Sequence, residues 1–158
     1  MRIVFITDKH YFNSKMDRVR FHSVKAIFNH KNIEGTYTGP NWPNWNPSLP
    51  AQENLENILK GDWCDLVVCY KPSEIEDFPD IKYTKCIRYN ETYDKESVKK
   101  EVSENKIDTI IFHHHNDYVE YKNILNNLNL FWIPHSAEKT IYKPNPDARK
   151  EYDVALIG

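Results

Sequence analysis

Hydrophobic residues in this chain fall into short, dense runs separated by longer mixed stretches. Residues 2–7 (Arg-Ile-Val-Phe-Ile-Thr) form a β-branched and aromatic run, the pattern of a strand buried on both faces. Residues 65–70 form the clearest central strand, and residues 35–38, 85–89, 109–112, 130–133 and 154–157 read as further short strands. Between them the period changes. Val19, Phe21, Val24, Ala26, Ile27 and Phe28 fit the inner face of a helix over residues 19–29, with Asp17 placed to cap it. A short helix is predicted over 55–59, a charged one over 95–105 with Val98 and Val102 facing inward, and another over 118–128 with Tyr121, Ile124, Leu125 and Leu128 on one face.

Strands that alternate with helices predict an α/β fold: a Rossmann-like parallel sheet with helices on both faces and right-handed crossovers. The segment 39–50 stands apart, because its four prolines exclude helix and central strand. The chain closes on Tyr-Asp-Val-Ala-Leu-Ile-Gly, a polar entry, a strand and a glycine turn of the kind that opens a nucleotide-binding half. The organisation expected is a Rossmann-like domain over 1–151, with 152–158 beginning a linker or second domain.

Composition narrows the function classes. The chain has 158 residues, enough for one domain with a sizeable core. Its 21 basic and 23 acidic residues give a formal net charge of -2, which predicts neither a nucleic-acid partner nor an anionic membrane surface. No apolar run is long enough for a membrane span, and the first residues read as a strand rather than a signal peptide. The odd set Cys64, Cys69 and Cys86 matches no zinc spacing, and together these features predict a cytoplasmic protein with free thiols. Ten tyrosines and four tryptophans exceed what a small core needs, and such rings stack on sugars or bases at a cleft.

Ligands of open α/β sheets bind beyond the carboxyl ends of the strands. That rule selects Thr7 and Asp8, then Gly39, Pro40, Asn41 and Trp42, then Tyr70, Lys71 and Pro72, then Arg88, Asn90 and Glu91, then His113 to Asp117, and finally His135 and Ser136. The triple histidine is no chelate by itself, since neighbouring strand residues point to opposite faces. His113 reads as a strand end bonded to backbone, and the group also offers a ligand contact or a general base. Arg18, Arg20, His22 and Ser23 at the start of the first helix could meet a phosphate or carboxylate, or simply pair with Asp17 or Glu34. No Gly-x-Gly-x-x-Gly, Gly-Lys-Ser/Thr or Gly-x-Ser-x-Gly motif is present.

Several blocks, taken in order, carry a resemblance. Arg20-Phe21-His22-Ser23-Val24-Lys25-Ala26 is followed by Gly39-Pro40-Asn41-Trp42-Pro43, then His114-His115-Asn116-Asp117, Ile133-Pro134-His135-Ser136-Ala137-Glu138, Tyr142-Lys143-Pro144 and the terminal Tyr152 to Gly158. The chain resembles the amino-terminal, acceptor-side half of GT-B glycosyltransferases of the spore-maturation type. The resemblance implies a domain that binds a carbohydrate or other hydroxyl acceptor, with the nucleotide-sugar donor held by a carboxyl-terminal donor-binding domain and no metal or other cofactor in this half. It also implies contacts from Asp8, Arg20, His22, Asn41, Trp42, His115, Asn116, Asp117, His135 and Ser136, with His22, His115 and Asp117 as candidates for the catalytic base. The chain departs from many relatives in having Thr7-Asp8-Lys9-His10 where a glycine-rich loop follows the first strand. A non-catalytic module that binds a glycan or nucleotide is the alternative, and a hydrolase on a flavodoxin-like sheet is a third reading without a well-set nucleophile.

Overall fold

The computed structural model describes residues 1–10, 27–90, 92 and 94–134. Six strands lie in one parallel sheet: β1 (Arg2–Ile6), β2 (Glu34–Thr38), β3 (Leu66–Cys69), β4 (Lys85–Tyr89), β5 (Thr109–Phe112) and β6 (Asn129–Trp132). Their order is β2-β1-β3-β4-β5-β6. The order reverses at β1, which has β2 on one side and β3 on the other, so the topological switch point lies there. The expected Rossmann-like α/β architecture is what the chain adopts.

Among the described residues three helices, α1 (Ala51–Leu59), α2 (Lys95–Glu104) and α3 (His115–Tyr121), cover one face. Ala51, Leu55 and Leu59 of α1, Val98 and Val102 of α2 and Tyr121 of α3 pack on Val4, Ile6, Val67, Cys69, Ile87, Ile110 and Phe112 of the sheet. The opposite face carries Ile3, Phe5, Val68 and Cys86 against Ile27, Phe28, Tyr37 and Tyr70. Burial on both faces is why these strands read as continuous apolar runs rather than alternating ones.

The boundaries depart from the sequence reading in two places. The α1 helix begins at Ala51, four residues earlier than expected, directly after Pro50, whose fixed φ suits a helix start. It ends where Lys60 enters the left-handed region at φ 54°. The helix expected over 118–128 starts at His115 and yields to turns after Tyr121, with Ile124 and Leu125 both donating to the Tyr121 carbonyl. Asn123, Asn126 and Asn127 offer the backbone alternatives to a helix, while Tyr121 and Leu125 still reach the core. Two single turns of 3-10 helix, Pro72–Glu74 and Phe78–Asp80, connect β3 to β4. Asp17, residues 19–26 of the helix expected over 19–29 and the strand expected over 154–157 lie outside the described residues.

Candidate functional site at the switch point

The loop that leaves β2 folds back over the end of β1. The parallel ladder continues past both strands, with Thr7 N–H donating to the Thr38 carbonyl and Lys9 N–H to the Pro40 carbonyl, each at 2.9 Å. Gly39 at φ 130° and Asn41 at φ 64° turn the chain sharply. Asn41 Nδ2 donates to Asp8 Oδ2 at 3.0 Å and ties the two loops together, while the His10 amide donates to Asp8 Oδ1 at 2.7 Å and closes a turn within the first loop. Trp42 donates its indole N–H to the Thr7 carbonyl at 2.9 Å and stacks on Tyr37, with the planes 7° apart and centroids at 5.8 Å.

Asn54, buried in α1, secures the rest of this loop. Its Nδ2 donates to the carbonyls of Asn46 and Leu49, each at 2.9 Å, and its Oδ1 accepts from the Asn46 amide at 2.7 Å. The loop thus becomes one wall of a cavity of about 370 Å³. Asn41, Trp42 and Trp45 line it from this loop, and Glu74, Glu76 and Asp77 line it from the β3–β4 connection. The cavity straddles β1, at the crevice where doubly wound sheets bind ligands.

Asp8, Asn41 and Trp42 therefore come together, as loops at one sheet edge should. His115, Asn116 and Asp117 form a second group on the same rim, in the first turn of α3. Four strand steps separate β2 from β5, about 19 Å at the usual spacing. His115 is exposed and sets its ring against Trp132 at 4.6 Å between centroids, in a T-shaped contact. Arg20, His22, His135 and Ser136 lie outside the described residues. Trp45, Glu74, Glu76 and Asp77 are site residues that the sequence reading passed over. The signal available was the acid-rich Glu74-Ile75-Glu76-Asp77 a few residues beyond the carboxyl end of the central strand.

A buried polar group lies on the other face of the sheet. His113 closes β5 with Nδ1 2.7 Å from the Ile133 carbonyl oxygen, which agrees with its reading as a strand end bonded to backbone. Its Nε2 lies 2.9 Å from Arg88 Nη2. The Arg88 guanidinium sits 4.9 Å from the centroid of the Tyr70 ring, a cation–π distance. Burial pushes the Arg88 pKa down, opposed by Tyr70, Cys86 and Tyr37, and burial pushes the Tyr37 phenol up. Arg88, Phe5, Val68 and Ile111 line a second, mostly apolar cavity of about 320 Å³.

Among the described residues no three His, Cys, Asp or Glu side chains are arranged to hold a metal ion. No helix among them is long and apolar enough to cross a membrane. No family model matches the chain, and neither the curated proteins nor the solved structures compared with it give a match.

Proposed function

We propose that this domain is the acceptor-binding half of a GT-B glycosyltransferase, one that moves a sugar from a nucleotide-sugar donor to a hydroxyl acceptor. The observation that carries the reading is the cavity at the switch point, lined by two indoles and three carboxylates. Indole faces pack against the apolar face of a sugar ring, and carboxylate and amide oxygens accept from its hydroxyls. Catalysis on a hydroxyl needs a base within hydrogen-bond reach of the proton removed. Glu74, Glu76 and Asp77 join His22, His115 and Asp117 as candidates for it. The nucleotide-sugar donor then belongs to a carboxyl-terminal donor-binding domain. Three buried free thiols suit a reducing, cytoplasmic setting.

The test is a titration of the 158-residue chain with saccharides and, separately, with nucleotide sugars, followed by amide NMR and calorimetry. Saccharides should shift amides of residues 40–49 and 74–77, and Trp45→Ala should weaken that binding about fivefold to tenfold, the usual worth of an aromatic contact. Tight nucleotide-sugar binding with no response to saccharides would overturn the assignment of roles. The second reading, a glycan-binding module without catalysis, draws on the three strand steps, about 14 Å at the usual spacing, that separate β1, which the cavity straddles, from β5 with its histidines. It predicts saccharide binding with no sugar transfer when donor and a donor-binding domain are supplied.

A further inference from the structure

We infer that the switch-point cavity selects an acceptor carrying a protonated amine, an amino sugar in preference to a neutral one. The inference rests on the preceding reading for the sugar and adds the charge. None of the described residues lining the cavity is cationic, while Glu74, Glu76 and Asp77 all face it. Lys71 pairs with Glu74 at 3.4 Å, which leaves the charges of Glu76 and Asp77 without an ion pair among the described residues. Asp77 occupies the N-cap position of the turn Phe78–Asp80 at φ 57°, yet its carboxylate makes no capping hydrogen bond. The left-handed backbone favours Asp or Asn at this position, and the carboxylate itself is not engaged in a cap.

The charge also has a shape. The three carboxylates do not converge closely enough to chelate a metal ion. They suit a cation spread over an organic ligand, one whose ring rests on indole. Trp42 and Trp45 add to this, since an ammonium near an indole face gains cation–π attraction that a neutral hydroxyl does not. The volume of about 370 Å³ lies in the ordinary range for small-molecule sites, roughly 300–1,000 Å³.

The experiment compares glucosamine, glucose and N-acetylglucosamine as probes in amide NMR titrations of the whole chain, below the pKa of the amine. Glucosamine should bind about tenfold tighter than the two neutral sugars, a difference of about 1.4 kcal/mol. The double variant Glu76→Gln, Asp77→Asn keeps the side-chain shapes, and Asn tolerates the left-handed backbone at 77. It should erase the preference, so that glucosamine and glucose bind the variant equally, whatever the variant's affinity for glucose. On the unaltered chain, raising pH through the amine's own pKa should bring glucosamine down to the affinity of glucose. Equal binding of glucosamine and glucose sinks this inference and leaves the saccharide reading standing. No response to any of the three sugars sinks both. A preference that survives in the double variant, or at high pH, also overturns it.

Discussion

A Cβ on Gly39 would lie 2.4 Å from the Thr7 carbonyl oxygen, and the backbone there already sits at φ 130°. The contact is with main chain where the β2 loop turns over the end of β1, so no side-chain rotation can relieve it. Gly39→Ala should cost about 1–3 kcal/mol, the range for forced backbone strain, read as a lower denaturant midpoint, and should shift the amides of 40–45. A variant as stable as the parent would mean that the turn has slack. Trp42 has a structural task in the same wall through Thr7 and Tyr37, and Trp45 packs against the core, so a loss of binding in either Trp→Ala variant counts as lost ligand contact only where the denaturant midpoint is unchanged. His113 offers a second test. The Ile133 carbonyl only accepts, so Nδ1 carries the proton. Arg88 only donates, so Nε2 must accept. Nitrogen-15 NMR should find His113 as the neutral Nδ1–H tautomer, and an Nε2–H signal would contradict the Arg88 contact.

Helix α2 shows how an element's stability ties to one carboxylate. Asp94 accepts from the Ser97 hydroxyl and from the amides of Glu96 and Ser97. These bonds favour the ionised form and hold its pKa below the ordinary 3.8, the Ser97 hydroxyl first among them. The unfolded chain therefore takes up the proton first. The cap's contribution is complete above about 3.8 and is lost as pH falls through the lower folded value. The Ser97 amide should titrate with a midpoint below 3.8, and Asp94→Asn, which still caps, should abolish that titration while leaving α2 in place. A midpoint at or above 3.8 would refute the cap's role. In α1, Asn54→Ala removes the bonds that hold the Asn46 and Leu49 carbonyls, and should cost about 1–3 kcal/mol. Asn54 also shows a limit of pattern reading. Periodicity places it on the buried face, but its meaning comes from a loop eight residues upstream that no local rule connects to it. Val98 and Val102, by contrast, were legible because only apolar spacing decides them.

At the scale of the molecule, all six strands within the described residues were legible, because burial on both faces leaves dense apolar runs in the sequence. Their lateral order was not. That order alone brings the β2 loop beside the acids at 74–77 and carries the β5 histidines away, so the cavity was only half visible beforehand, through Asn41 and Trp42. The cysteines test whether the sheet behaves as one unit. Cys69 lies in the core on the helix-covered face, Cys86 on the opposite face, and Cys64 at the entry to β3. Burial raises all three thiol pKa values, Cys86 to about 12. The thiolate is the reactive form, so native protein near neutral pH should alkylate very slowly at each site. An unfolded Cys86 ionises near 9, so its contribution to stability is complete below that value and is lost as pH rises toward 12. If both faces depend on the same strands, denaturant should expose the three thiols together, with one midpoint by mass-spectrometric labelling that coincides with loss of helical circular dichroism. Labelling of Cys86 well before Cys69 would show that the face bearing Ile3, Phe5 and Val68 opens by itself, and that the sheet is held chiefly by the face that α1, α2 and α3 cover.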